Sequence, residues 1–332
     1  MSKKSKQSEK FPVGGQALVE GVMMRGKNAY AIALLKKDGE IKLERFEHKA
    51  ISERHKIFKV PFIRGMGALW DSMKIGIKAL MLSANEAIAE EEAEKASANP
   101  DKPKKQKSKT GEKVQNTLLA VISMIFAFGL FVAVPNIIVH ILGINETKNP
   151  VIFNIVSGAM RIVFFVVYVF TISLMKDVRR VFQYHGAEHK AVNTYEAGCS
   201  LELENVKKFT TFHPRCGTSF MFFVLLIAIM IFSFVPILFI NVIPGFLSFH
   251  IVLQKTIIIL SHILLLPFVA GISYEFLKLT YAGRNNFFIK LLSLPGYGIQ
   301  KITTREPEES IIKCAIEAIK AVIQDDSAVN KD

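Results

Sequence analysis

The chain has 332 residues, half of them hydrophobic, and a formal net charge of +13. These properties are compatible because the apolar residues concentrate in four long runs, while lysines and arginines gather before and between them. The three cysteines, an odd number, argue against a disulfide-bonded framework.

Residues 1–92 are predicted to form a small cytoplasmic α+β domain ahead of the apolar runs. Asp38 and Gly39 lie between two segments rich in β-favouring residues, which indicates a hairpin. Further along, apolar residues recur at helical spacing: Leu69, Met73, Ile77, Leu80 and Met81. Charged residues fill other parts of this helix, so we expect an amphipathic helix that lies on the domain or along the membrane surface.

The segment GVMMRGK, residues 21–27, resembles the start of a phosphate-binding P-loop. Asn28 stands where such a loop needs Ser or Thr to hold magnesium, and bulky side chains occupy positions where backbone amides would surround a phosphate. The residues that follow favour a strand rather than a helix. We therefore predict that the glycines here form turns and that the segment does not hydrolyse nucleotides.

Residues 93–115 combine an acidic cluster with a lysine-rich run that contains proline. Because this composition cannot form a core, we interpret it as a mobile linker. Its lysines suit contact with anionic lipid or ribosomal RNA. A solvated spacer is the alternative interpretation.

The four apolar runs are each long enough to cross ~30 Å of hydrocarbon as a helix, which takes about 20 residues. They are Leu118–Leu142, Val151–Met175, Ser219–Ile243 and Ile251–Phe276. No cleavable signal peptide is visible, and basic residues concentrate between the second and third runs, which places that segment in the cytoplasm. We predict a mostly α protein: a polytopic four-helix membrane bundle (116–282) with a cytoplasmic loop (176–216) and both termini cytoplasmic.

Residues 283–332 are predicted to be a cytoplasmic segment that ends in an amphipathic helix. An apolar stripe runs along this helix at Ile312, Ala315, Ile316, Ile319 and Ile323. The stripe needs a partner, and the amino-terminal domain is the simplest one.

The central loop contains HGAEH, an H-x-x-E-H string of the kind found in inverted zinc metallohydrolases. If the second span continues as a helix, His185 and His189 share one face and are candidate zinc ligands. Glu188 lies at the edge of that face and is the candidate catalytic residue, because it could polarise a water molecule without binding the metal.

Four more residues are candidate ligands: His213, Cys216, Glu196 and Glu275. Zinc needs three protein ligands and a water for catalysis, or four protein ligands in a structural site. The residues leave two other interpretations open: a hydrogen-bonded structural cluster at the bilayer surface, or no special role.

Two ionisable residues lie inside the predicted spans. Arg161 and His262 are each ~15 Å deep at 1.5 Å per residue, so they would share one level. Such residues usually face the interior of a bundle. We expect anchoring through helix carbonyls and Ser157 or Ser261; a polar conduit is the alternative.

Four segments, GGQALVEGVMMRG, YHGAEHKAVNTYE, HPRCGTSF and LPGYGIQKITTREP, resemble in the same order those of the YqhQ-like family of uncharacterised bacterial integral membrane proteins. The resemblance extends from about Val13 to the end of the chain. The family has been labelled a predicted metal-dependent enzyme, which implies a metal site. Its genes tend to lie near those of translation termination and ribosomal proteins, which implies a role at the ribosome or the secretion apparatus.

The leading hypothesis is therefore a zinc-dependent hydrolase at the cytoplasmic face of a bacterial cell membrane. The alternative is a non-catalytic membrane factor associated with the ribosome, the translocon or membrane-protein biogenesis, and a transporter is third. We expect the lipid bilayer as a partner and no sequence-specific nucleic acid. The substrate and the oligomeric state stay open.

Overall fold

The structure, a computed structural model, describes residues 11–98, 109–145, 148–283 and 286–328. Four strands come first: β1 (Gly14–Leu18), β2 (Gly21–Arg25), β3 (Ala29–Leu35) and β4 (Ile41–Glu47). The helices are α1 (Ile51–Arg54), α2 (Ile63–Ala98), α3 (Lys109–Phe128), α4 (Val134–Ile141), α5 (Pro150–Ile172), α6 (Lys176–Glu196), α7 (Leu203–Val206), α8 (Gly217–Val242), α9 (Ile251–Ala282), α10 (Phe287–Thr303) and α11 (Glu309–Ala328). A π-helical turn, Gly129–Ala133, joins α3 to α4.

The strands form an antiparallel sheet in the order β1-β2-β3-β4. The predicted hairpin is confirmed: β3 and β4 pair from Leu35 opposite Ile41, and Gly39 in the turn has φ +88°. The segment GVMMRGK, which resembles the start of a P-loop, lies largely in strand β2 and is followed by β3 rather than by a helix. Gly21 allows close strand packing there, because a Cβ would lie 2.5 Å from the Ala33 carbonyl oxygen.

Helices cover both faces of the sheet. Every residue of β3 is buried, and its side chains alternate between the two sides, so the strand belongs to two cores. On one side α2 contributes Ile75 and Ala79. On the other, the sheet packs against α6 and α11 through buried residues that include Tyr184, Ala187, Ala191, Ile312, Ala315, Ile316 and Ile319. The predicted partner of the carboxy-terminal stripe is therefore confirmed.

Segments that lie far apart in the sequence thus form one folded body. The predicted unit of residues 1–92 contains the sheet and most of α2, but α6 comes from the central loop and α11 from the carboxy-terminal segment. The loop 176–216 is largely the helix α6. In this body α6, which carries the HGAEH string, packs on the sheet and α11, and its His185 contacts the end of α10 and the start of α8.

Among the described residues, four helices are long and apolar enough to cross a membrane: Thr117–Ile141, Pro150–Ile172, Gly217–Val242 and Ile251–Ala282. They match the four predicted runs. One expectation about them is wrong: the second helix does not continue through the histidines. It ends at Ile172, and α6 begins after Met175, whose ψ of +135° is extended rather than helical.

The amphipathic helix is present as α2, but its predicted apolar stripe does not face the sheet. Met73, Ile77, Leu80 and Met81 are exposed, while Ile75 and Ala79 pack inward. The helix also crosses α9, where a Cβ at Gly65 would lie 2.7 Å from the Tyr274 side chain. One face of α2 therefore holds the sheet, and another presents apolar side chains to the surroundings.

The described ends of the predicted linker are helical, because α2 runs to Ala98 and α3 begins at Lys109. Residues 99–108, which carry most of the lysine-rich run, lie outside the described residues.

The segment after the fourth apolar helix is less polar than expected. There α10 packs against α8 with exposed Phe287, Phe288 and Leu291.

Arg161 and His262 have different partners. The Arg161 guanidinium donates from Nη2 to Asn136 Oδ1 at 3.2 Å, and Ser157 donates to the same oxygen. The His262 ring stacks on Phe232 at a centroid distance of 4.2 Å. Of the expected anchors, Ser157 therefore acts through an asparagine on the first apolar segment.

Candidate metal centre

Three side chains converge where α6 meets the start of α8. Potential ligand atoms of His185, His189 and Cys216 all lie within 4.8 Å of one another. The closest pair is His185 Nε2 and Cys216 Sγ, 3.2 Å apart. His189 and Cys216 are buried, and the His185 side chain is 13% exposed.

The two histidines are neighbours because α6 places residues four apart on one face, as predicted. Their ring centroids are 4.4 Å apart. Each ring is fixed through Nδ1, with His185 donating to the Thr303 carbonyl at 2.8 Å and His189 to the Thr211 carbonyl at 2.5 Å. A donating Nδ1–H leaves the lone pair of Nε2 available, which is the arrangement that orients metal-binding histidines in proteins.

Glu188 lies beside this group without belonging to it. Its Oε2 is 3.9 Å from His185 Nε2, and its side chain is 9% exposed. Strand β1 packs directly on it, because a Cβ at Gly15 would lie 2.7 Å from Glu188 Cγ. The carboxylate is therefore held between the sheet and the histidines.

The backbone that returns towards α8 is fastened to α6 and α10 by side chains. Lys190 and Asn193 donate to carbonyl oxygens in the segment 207–212. Gln300, which is fully buried, accepts from the His213 amide at 2.9 Å and donates to the His213 carbonyl at 3.0 Å. These bonds fix the chain that leads to Cys216.

Gln300 and Thr303 were not among the candidate site residues, although both lie in the LPGYGIQKITTREP segment. Gln300 acts through its side chain on the His213 backbone, and Thr303 acts through its own carbonyl oxygen. Both positions depend on how α10 docks. The only sequence signal for them was this shared segment.

His213 and Glu196 form a neighbouring cluster outside the three-ligand group. Glu196 is paired with Arg215 and faces His213 Nε2 at 3.5 Å, while His213 Nδ1 accepts from the Arg215 amide at 3.3 Å. Burial opposes ionisation of Glu196, but the hydrogen bond with His213 and the charge of Arg215 hold the pKa of its carboxyl below the usual value. Both nitrogens of His213 therefore already have partners.

Glu275, the remaining candidate ligand, also lies elsewhere. Its carboxylate accepts from both Arg64 Nε, at 2.6 Å, and Arg64 Nη2, and so joins α9 to the start of α2. A salt bridge of this kind occupies both carboxylate oxygens. Of the six predicted ligands, the structure brings together His185, His189 and Cys216.

A family model described as "Protein of unknown function (DUF1385)" matches residues 60–325. The chain belongs to this family. The "Uncharacterized protein YqhQ" of Bacillus subtilis (strain 168) is 30% identical to the chain over 315 residues, covering 94% of this chain and 92% of the relative. No solved structure matches the chain. The resemblance inferred from the four segments is thus confirmed, and the DUF1385 match contains all four apolar helices and every candidate ligand.

Proposed function

We propose that this protein is a metal-dependent hydrolase of the bacterial cell membrane, with a metal held by His185, His189 and Cys216. The observation that carries the proposal is the approach of three ligand atoms within 4.8 Å while both imidazoles are held through Nδ1. The four long apolar helices support the membrane location. Both termini and the site would then lie on the cytoplasmic side.

The spacing of the three groups suits zinc. Zn–N bonds of about 2.0 Å and Zn–S bonds of about 2.3 Å in a tetrahedron put ligand atoms roughly 3.5 Å apart. The 3.2 Å separation of His185 Nε2 and Cys216 Sγ is close to this value. Two histidines and one cysteine also leave a fourth position for water or substrate, as catalytic rather than structural zinc sites do.

Zinc in such a site supplies Lewis acidity and lowers the pKa of a bound water to about 7. The protein's own part is to keep the ligands in place and to move a proton. Glu188, 3.9 Å from His185 Nε2, is positioned to take a proton from a water beside the ligand group and return it to a leaving group. The packing of Gly15 against Glu188 limits the freedom of the carboxylate.

The deciding experiment measures zinc in the purified full-length protein. We expect about one equivalent in the wild type, and a loss of at least about tenfold in affinity in His185→Ala, His189→Ala and Cys216→Ser. Cobalt substitution should give a thiolate-to-metal absorption band that Cys216→Ser removes. His55→Ala, which changes an exposed histidine, is the matched control and should keep the metal.

The variant Glu188→Gln tests whether Glu188 accepts a proton or binds the metal. It should retain zinc while abolishing zinc-dependent hydrolysis once a substrate is found. A wild-type protein that binds neither zinc nor cobalt, and whose histidine variants lose only stability, would instead identify a hydrogen-bonded structural cluster.

A further inference from the structure

A large apolar cavity lies between α2 and the helices α5, α8 and α9. Its volume is about 1250 Å³, and its walls include Leu69, Phe165, Val224 and Leu266. Pockets for small molecules are typically about 300–1,000 Å³. The cavity is therefore larger than a typical small-molecule pocket, and its apolar walls suit an extended apolar occupant.

Of the described residues that line this cavity, one is charged, Arg161. Its Nε is buried and has no hydrogen-bond partner among the described residues, and its Nη2 donates to the uncharged side chain of Asn136. Arg161 precedes the end of α5 at Ile172 by eleven residues, or ~16 Å at 1.5 Å per residue. A cation at that depth is costly without a partner, so the cavity favours an occupant with an anionic group at mid-span.

The first apolar helix is poorly covered by the rest of the described structure. No residue in the most apolar window of Thr117–Ile141 is buried, and Leu118, Met124 and Phe126 are all more than half exposed. The π-helical turn in this helix reaches the cavity through Phe131 and Val132. Exposed apolar side chains therefore continue from the cavity wall along α3.

We propose that the cavity binds a membrane-spanning helix of another polypeptide that carries Asp or Glu near its middle. Part of the length of such a helix, which is about 10 Å across, would fill the cavity and bring a carboxylate to Arg161. A lipid is the weaker candidate, because its anionic group stays at the headgroup level, about 15 Å from the bilayer centre. The inference depends on the proposed membrane location but not on the metal site.

The test uses the full-length protein in phosphatidylcholine vesicles with a photo-crosslinking amino acid at Leu225, which lines the cavity. Synthetic Leu/Ala transmembrane peptides carry Glu, Gln or Lys at their centre. We expect about tenfold more adduct with the Glu peptide than with the Gln peptide, corresponding to 1.4 kcal/mol. The same crosslinker at exposed Ile155, which is not a cavity residue, should not distinguish the peptides.

Two substitutions of Arg161 distinguish a loss of charge pairing from a loss of folding. Arg161→Gln should remove the preference for the Glu peptide, and Arg161→Glu should transfer the preference to the Lys peptide. Equal labelling by the Glu and Gln peptides, or lipid adducts alone at Leu225, would overturn the helix-binding proposal. An absence of lipid adducts at Ile155 would overturn the membrane location as well, while leaving the zinc measurement unaffected.

Discussion

Adjacent glycines in β1 have very different surroundings. A Cβ at Gly15 would lie 2.6 Å from the Met23 carbonyl oxygen and 2.7 Å from Glu188 Cγ, whereas a Cβ at Gly14 would meet nothing within 4 Å. The backbone oxygen cannot yield as a flexible side-chain end can. Gly15 therefore sets how closely the sheet approaches the candidate site.

Gly15→Ala should lower the free energy of unfolding by about 1–3 kcal/mol, because overpacking displaces the strand and Glu188. Gly14→Ala is the matched control and should stay within about 0.5 kcal/mol of the wild type. Unfolding followed in detergent, with bound zinc measured in parallel, makes the comparison. Similar losses in both variants would contradict the role of close packing at Gly15.

At this scale, the sequence predicts the adjacency of His185 and His189 because helical spacing alone produces it. It left Cys216 among four further candidates, since the approach of Cys216 depends on how the segment 207–213 folds back on α6. The partner of Glu275 is Arg64, which lies 211 positions away in the chain. No local pattern contains that information.

Helix α11 packs over one face of the sheet, and its docking can be followed through a cysteine. Cys314 is fully buried, and burial raises the pKa of its thiol to about 12, whereas Cys199 is exposed. The thiolate is the reactive form of cysteine, so Cys314 should react only when α11 leaves the sheet.

In a Cys216→Ser background, we expect Cys199 to react with maleimide immediately and Cys314 to be protected. Ile319→Ala should lower stability by about 2–5 kcal/mol and accelerate Cys314 labelling, because Ile319 is fully buried against the sheet. Lys313→Ala, at an exposed position of the same helix, should leave the rate unchanged. Immediate labelling of Cys314 in the Cys216→Ser protein without a further substitution would show that α11 does not cover Cys314 in solution.

Periodicity and composition predict most of the helices and strands. They do not predict where one helix turns into the next or which face of a helix packs inward. Residues 173–175 contain neither glycine nor proline, so the break between α5 and α6 has no local signal. It is explained by packing, since α6 buries Tyr184, Ala187 and Ala191 against the sheet and takes its direction from that contact. Likewise, the face of α2 that packs inward was set by the sheet rather than by the most apolar stripe.

For the whole molecule, the predicted orientation can be tested with a membrane-impermeant maleimide. Cys199 should be labelled in inverted vesicles but not in intact cells, whereas Lys148→Cys, in an exposed connection between two apolar helices, should be labelled from outside. If the maleimide labels Cys199 but not Lys148→Cys in intact cells, the orientation is the reverse of the predicted one. The candidate metal site would then lie outside the cytoplasm.

One face of the sheet is covered by α6 and α11. The ribosome makes these helices long after it has made the strands. Leu35 and Glu309 are 274 positions apart, which at about 5–20 residues per second corresponds to roughly 15–55 s of translation. Before α11 is synthesised, the face of β2 and β3 on which it packs stays uncovered. Before Thr303 is synthesised, His185 lacks the carbonyl oxygen that accepts its hydrogen bond. The hydrogen bond that orients His185 can therefore form only after all four apolar helices have been synthesised.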